Sequence, residues 1–214
     1  ISTSKILEHP FIIDIFRVRS ATKHTLDFPF YYRGQLVSTS FKMQKNVSQL
    51  STLGTKNGYQ HLWVEASGKT DKNNAEFTWV NGNRFYSITT VTNENSELLL
   101  TRIGANDPDF NLRSETGFMI RQSNTDNQTF VSVIEPHGVY DLTKEVTENF
   151  KSSIASVELI QDNDDFTVVL IKTKTGKSFI LATLNKDFNS GATKKFNYNN
   201  KTYSFTGNYY YSEL

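Results

Sequence analysis

The chain has 214 residues, of which 37% are hydrophobic and 21% are charged, a balance that suggests neither disorder nor a membrane protein. The net charge of +1 gives no general attraction to nucleic acid or to an acidic membrane, and no apolar run approaches the roughly 20 residues needed to span a bilayer. The absence of cysteine excludes disulfides, thiolate metal sites and cysteine nucleophiles.

Strand-like segments follow one another along the chain. Residues 11–18 are apolar almost throughout, which predicts a strand buried on both faces, with an edge through which chains could associate. The pair Asn81-Gly82 lies between two β-rich runs and predicts a hairpin with a type I′ turn. Residues 140–150 have room for one or two helical turns at most. Further strands are expected at residues 60–66, 98–103, 117–121, 130–134, 154–160, 166–173, 178–183, 195–198 and 202–205.

Turn signals at short intervals and the lack of a long helical period define the fold class. They predict an all-β fold, a large antiparallel β-sandwich or stacked-sheet domain, with residues 1–214 forming one domain.

Residues 23–35 (KHTLDFPFYYRGQ) form the first candidate binding segment. Pro29 cannot donate a backbone hydrogen bond, so we expect a loop or an edge strand here. His24, Tyr31 and Tyr32 suit a sugar, because aromatic rings stack on its C–H face and polar groups bind its hydroxyls. The alternative is an aromatic plug that closes one end of a sandwich.

Two further segments carry candidate residues. In residues 101–113, Arg102 and Arg113 flank a turn with Asn111 between them, and paired arginines can bind carboxylates. The alternative is a loop whose polar side chains satisfy its own backbone. In residues 133–138, Glu135 and His137 are expected at a strand end, where they could serve as acid and base or simply belong to a turn.

The four histidines do not form a local metal motif, because no two of them stand two or four positions apart. They are His9, His24, His61 and His137. The sequence therefore predicts no metal ligands at a local motif, and a metal site could form only from residues that are distant in the chain.

Five strings, in this order, carry a resemblance to a known family: HPFIIDIFRV, HTLDFPFYYRGQ, LGTKNGYQHLW, RIGANDPDFNLR and VIEPHG. They resemble the C-terminal β-sheet domain of oligoalginate lyases of polysaccharide lyase family seventeen, which are heparinase II/III-like. The resemblance runs from about residue 9 to about residue 139 and is faint beyond.

The resemblance implies a two-part bacterial enzyme, periplasmic or extracellular, in which an α/α toroid precedes stacked antiparallel sheets. Such lyases cleave alginate or related uronate oligosaccharides by β-elimination. A base removes the C5 proton, the carboxylate charge is neutralised, and a tyrosine protonates the leaving oxygen. The products carry a new double bond.

The same resemblance implies that the family's Asn, His and Tyr of the chemistry lie in the toroid. Its structural zinc would be held by His and Asp residues in the first strands of the β domain, whose His-x-His-x-Asp motif is absent here. We therefore expect a fragment that lacks the toroid and those strands, and that is inactive and metal-free on its own. Its expected role is a cleft wall or a dimer surface, with the uronate oligosaccharide, the toroid and a second copy as partners.

Two other functions remain open from the sequence. One is a non-catalytic carbohydrate-binding module, for which Tyr59, Trp63, Trp79 and the run Tyr209-Tyr210-Tyr211 would form a stacking platform. The other is a structural or adhesive sandwich without a ligand.

Overall fold

The computed structural model describes residues 10–46, 48–104, 112–186, 188 and 191–214, without the side chains of residues 112–114. Within these residues the chain forms strands and one 3-10 turn, Tyr59–His61, and no helix is long and apolar enough to cross a membrane. The prediction of an all-β fold is confirmed.

The strands are β1 (Ile12–Tyr32), β2 (Gln35–Thr39), β3 (Met43–Lys45), β4 (Ser51–Thr52), β5 (Leu62–Lys69), β6 (Asn74–Asn81), β7 (Arg84–Val91), β8 (Ser96–Gly104), β9 (Leu112–Asp141), β10 (Val146–Glu148), β11 (Ile154–Asp162), β12 (Phe166–Thr173), β13 (Ser178–Leu184), β14 (Lys194–Tyr198), β15 (Lys201–Phe205) and β16 (Tyr209–Glu213).

The first sheet is built around the 30-residue strand β9. Its order is β2-β6-β7-β9-β8-β5-β3, with β1 and β10 also paired to β9 and β4 paired to β5. The first half of β9 pairs with β8 and the second half with β7, while β1 runs antiparallel along both halves. The register of β1 on β9 shifts near His24, and Asn124 of β9 adopts a positive φ of 57°. Such irregularities bend a strand, and these lie where β9 exchanges β8 for β7 as its neighbour.

The bent sheet encloses an aromatic core. Phe118 and Leu98, from the half containing β8, cluster with Phe77, Trp79 and Ile88, from the half containing β6 and β7. The rings of Phe77 and Phe118 stack with 4.8 Å between their centroids. These contacts make the first sheet a sandwich folded from one continuous sheet.

The second sheet has the order β11-β12-β13-β16 and packs against the first through apolar side chains. Val131 and Val133 of β9 meet Ile154, Val157 and Val169 of β11 and β12 in this layer. On its other side the second sheet carries the hairpin β14–β15, with Phe166 and Phe196 among the buried contacts. Aliphatic side chains thus join the two sheets, and aromatic ones join the hairpin.

Several sequence predictions need correction. Residues 11–18 are not buried on both faces, because the side chains of Ile12 and Phe16 are 62% and 44% exposed. Of the two alternatives predicted around Pro29, the edge strand is confirmed, because in the described part of the chain β1 pairs with β9 alone. Residues 140–150 form no helical turn; β10 pairs back onto the end of β9 instead.

The predicted hairpin at Asn81-Gly82 forms, with a different turn. Asn81 pairs with Arg84, so the two loop residues are Gly82 and Asn83. Only Gly82 of these has a positive φ, at 60°. That pattern is typical of a type II′ turn, which needs glycine at its first central position.

Candidate functional site

Two of the five strings meet on the outer face of the first sheet, which is the face turned away from the aromatic core. Asp27 on β1 lies opposite Arg121 on β9, which places both side chains on the same face. The Tyr59 hydroxyl, which belongs to the segment between β4 and β5, donates a 2.8 Å hydrogen bond to Asp27 Oδ2. Nε and one terminal nitrogen of Arg121 donate to the two carboxylate oxygens of Asp27, each at 2.8 Å.

Burial and charge set the protonation of this cluster. Burial, and then the hydrogen bond to Asp27, raise the pKa of Tyr59 to about 12. The hydrogen bonds to Asp27 raise the pKa of Arg121 above its usual value. At neutral pH, Tyr59 is therefore a protonated donor and Arg121 a cation, and both donate hydrogen bonds to the Asp27 carboxylate.

Two clefts lie on either side of the Tyr59–Asp27 contact. One, of about 270 Å³, includes Tyr31, Leu62 and Met119 in its lining. The other, of about 290 Å³, includes Lys56 and Arg121. Both include Asp27 and Tyr59. Each volume is near the lower end, roughly 300 Å³, of small-molecule sites.

Of the predicted site residues, Tyr31 lines one of these clefts. Its side chain is accessible, at 53% exposure. It is opposite Gly117 of β9. A Cβ added at Gly117 would come within 3.3 Å of Tyr31 Cδ1, so the missing side chain lets the ring approach the sheet backbone. The ring is thereby supported on one side.

Tyr32 and Arg102 lie opposite the same residue, Thr116, on the two sides of β9. Tyr32 is buried, and its ring centroid is 5.0 Å from that of Phe77. Burial raises its pKa. Arg102 Nε is 2.7 Å from Glu65 Oε1, and both side chains are about one-third exposed. Tyr32 therefore belongs to the aromatic core, whereas Arg102 remains accessible to a ligand.

Glu135 and His137 lie within β9 and not at a strand end, and each is only 1% exposed. The Glu135 carboxylate accepts hydrogen bonds from the Ser152 hydroxyl, at 2.7 Å, and the Ser153 amide, at 2.9 Å. His137 Nε2 is 2.8 Å from Ser87 Oγ, and its Nδ1 is 2.9 Å from the carbonyl oxygen of Asn149. Their burial does not favour the predicted sugar contact; both side chains instead attach the chain after β10 to the first sheet.

The remaining predicted residues lie elsewhere. His24 is exposed at the bend of β1, with Nε2 2.9 Å from Thr22 Oγ1, and it is seven residues from Tyr31, roughly 20 Å along a strand. Asn111 and the side chain of Arg113 lie outside the described residues. The structure therefore does not bring the predicted set together as one site.

The aromatic residues of the alternative hypothesis do not form one platform. Trp79 is buried in the core at 5% exposure, which corrects its predicted role. Tyr59 contacts β1 of the first sheet, whereas Tyr209, Tyr210 and Tyr211 lie on β16 of the second.

Three contributors to the outer-face site were not singled out from the sequence: Lys56, Gly117 and Arg121. The sequence shows that Arg121 lies inside a predicted strand, where a charged residue is unusual. It does not show that the partner of Arg121 is Asp27, which is 94 residues away. Such a pairing depends on strand register, which local patterns do not specify.

A structural zinc, as the family would imply, does not fit the residues that this structure describes. Among them, no three His, Asp or Glu side chains are grouped so that they could hold a metal ion. No step is therefore assigned to zinc in this chain.

The chain is similar to proteins that act on alginate. It is 35% identical over 194 residues to an exo-oligoalginate lyase of Saccharophagus degradans, covering 89% of this chain and 26% of that protein. It is 34% identical over 167 residues to an alginate lyase of Stenotrophomonas maltophilia, covering 76% of this chain and 22% of that protein. No protein-family model matches. These homologues support an alginate lyase family, and the chain spans about a quarter of the length of the curated relatives it matches.

Proposed function

We propose that this chain is the β-sheet part of a longer alginate lyase, in which its outer face forms a wall that contacts the uronate oligosaccharide. The observation that carries the proposal is the 35% identity over 89% of the chain to a protein named as an exo-oligoalginate lyase. The accessible Tyr31 ring and the paired clefts beside Asp27 support a sugar-contacting face.

The finer assignment is to family seventeen of the polysaccharide lyases, with a heparinase II/III-like arrangement. The proposal places the acid, the base and any zinc ligands in other parts of the longer protein, so that this chain alone does not cleave alginate. It also places the enzyme in the periplasm or outside the cell, and makes the outer surface a candidate for dimer contacts. The resemblance of the five strings supports this assignment.

We also propose that residues 1–214 fold as one unit. The buried aliphatic layer between the sheets supports this, as do the contacts of Asp162 on β11 with Arg17 and Arg19 on β1. Asn74 adds a further link, since its amide donates to the Val157 carbonyl at 2.7 Å and accepts from the Val157 amide at 3.1 Å.

Affinity electrophoresis tests the sugar contact. The chain is run through native gels with and without alginate, next to a protein of similar size and charge. The proposal predicts retardation by alginate that weakens as salt is added, because exposed charges are screened. Equal mobility at every alginate loading would remove both this role and the binding-module alternative.

A non-catalytic carbohydrate-binding module is the second candidate, favoured by the exposed ring of Tyr31. The two functions differ in the longer protein. A wall residue of a lyase affects KM for oligoalginate cleavage, whereas a separate module affects binding to polymer and leaves cleavage of short oligosaccharides unchanged.

A further inference from the structure

We infer that the two clefts beside Tyr59 form one subsite for a single acidic sugar residue, with Tyr31 as the stacking platform and Lys56 as the partner of its carboxylate. This inference rests on the proposed function and names the residues that would carry it out. Neither residue acts in the chemistry, so both are positioning and binding residues.

The Tyr31 ring is the stacking platform of the inferred subsite. The outer face of β1 next to β9 presents Tyr31 opposite Gly117, and β8 places Thr101 on the other side of Gly117. A Cβ at Gly117 would lie 2.7 Å from Thr101 Oγ1 as well as 3.3 Å from the Tyr31 ring. The glycine therefore makes room for Tyr31 to lie against the sheet and expose its other ring face, which is the arrangement that a sugar C–H face needs.

The Lys56 ammonium group is the positive charge of the inferred subsite. Arg121 is already neutralised, because both oxygens of Asp27 accept its hydrogen bonds. Lys56 lines the adjoining cleft, and in the described part of the chain no hydrogen bond or ion pair occupies its ammonium group. The available positive charge of the clefts is thus Lys56, which favours a ligand with a carboxylate.

Tyr59 lines both clefts and joins the residues on its two sides. Tyr59 keeps its proton at neutral pH, since its pKa is raised to about 12, and its hydroxyl is held by Asp27. Residues Asn57 and Gly58 before it have positive φ values of 59° and 91°, which direct the chain around the cleft. Tyr59 therefore positions the segment that carries Lys56 beside the platform that carries Tyr31.

The experiment is calorimetric titration of the 214-residue chain with an alginate trisaccharide and, separately, with a neutral mannotriose. We expect the alginate trisaccharide to bind more tightly than the mannotriose. Tyr31→Ala should weaken alginate binding about tenfold, the upper end of a stacking contact, whereas Tyr31→Phe should retain it. Lys56→Gln should weaken it about threefold at low salt and make it less salt-dependent.

Two matched variants control for loss of aromatic surface and of charge. Tyr209→Ala removes a tyrosine that is 63% exposed on the second sheet, and Lys72→Gln removes an exposed lysine next to a different cleft. Both should bind like the unaltered chain. Circular dichroism on every variant distinguishes lost binding from lost folding.

The outcomes separate the two proposals. If the unaltered chain binds the alginate trisaccharide but Tyr31→Ala and Lys56→Gln bind equally well, the subsite is wrong and the proposed function stands. If mannotriose binds as tightly as the alginate trisaccharide, the role of Lys56 is wrong. If the unaltered chain binds neither sugar, the sugar-contacting face and the subsite are both overturned.

Discussion

Arg121 binds Asp27 through two 2.8 Å hydrogen bonds, and the two residues lie 94 positions apart in the sequence. The Asp27 side chain is only 4% exposed, whereas that of Arg121 is 20% exposed. The pair links β1 to β9 on the face that also carries Tyr31 and Tyr59, so its loss would affect both stability and the candidate site.

Replacing Arg121 should destabilise the fold more than replacing both members of the pair. Arg121→Met leaves a buried carboxylate without its cation, which we expect to cost about 3 kcal/mol in the free energy of unfolding. The double variant with Asp27→Leu removes the buried charge as well and should recover part of that loss. Urea unfolding, followed by the fluorescence of Trp63 and Trp79, measures both values. Equal stabilities for Arg121→Met and the unaltered chain would contradict the prediction.

Acid should weaken the connection between the two sheets through Asp162. Burial tends to raise the pKa of Asp162, but hydrogen bonds from Thr129, Thr167 and Arg19 and the charge of Arg17 outweigh it, so the pKa is lowered. A lowered pKa means that this stabilisation is complete above the unfolded value, 3.8, and is lost as pH falls through the lower folded value. Asp162→Asn should lower stability at pH 7 and flatten its dependence on pH below about 4. An unchanged acid limb in Asp162→Asn would contradict the assignment.

His137 should act on stability and not on sugar binding. His137→Ala removes the contacts with Ser87 and the Asn149 carbonyl and empties the space of a buried imidazole ring, a cost of roughly 2–3 kcal/mol. His24→Ala, at an exposed position, is the matched control and should change stability by less than about 0.5 kcal/mol. Denaturation gives the stabilities, and titration of the folded fraction gives the affinity. A loss of sugar affinity in folded His137→Ala, with normal stability, would contradict this account.

Two glycines with positive φ should differ sharply when changed to alanine. At Gly34, with φ 108°, a Cβ would come within 2.0 Å of the Val80 carbonyl oxygen. At Gly82, with φ 60°, nothing lies within 4 Å of that position. Gly82→Ala should therefore lower the free energy of unfolding by about 1 kcal/mol, because alanine rarely adopts this φ. Gly34→Ala should lower it several times more, because the backbone must also move. Similar melting temperatures for the two variants would show that the approach of Gly34 to β6 is not tight.

If the chain is part of a longer lyase as proposed, Arg102 and Arg113 should contribute to uronate binding in it. Among the described residues, the Arg102 side chain makes one hydrogen bond, from Nε to Glu65, and it stays about one-third exposed, so its terminal nitrogens are expected to bind a carboxylate. Changing both arginines to alanine should raise KM for oligoalginate by about tenfold, as expected for the loss of charge-assisted hydrogen bonds. Steady-state kinetics provide the measurement, and unchanged KM and rate would contradict the prediction.

Local sequence patterns predict most of the strands. They do not show which side chains from different strands lie on the same face of a sheet. The hairpin at Asn81-Gly82 and the strands around Phe166 and Phe179 follow from short-range signals, and all of them form. The burial of Ile12 and Phe16 was overestimated because an apolar run does not reveal whether a neighbouring layer exists.

The candidate site was only partly predictable for a related reason. Tyr31 and Tyr32 are adjacent in sequence, yet alternation along β1 places Tyr31 on the outer face and Tyr32 in the core. Glu135 and His137 had the residue types of an acid–base pair, but only the packing of β9 against residues 149–153 shows that they are buried.

The most direct test of the central claim is the ultraviolet absorbance of unsaturated uronate products, measured with oligoalginate and this chain alone, next to the proposed longer lyase. The account predicts a rise in absorbance for the longer lyase and none for the chain alone, because the chemistry is placed outside residues 1–214. Product formation by the chain itself, at a rate that follows its concentration, would contradict the account and would require an acid and a base among its own residues.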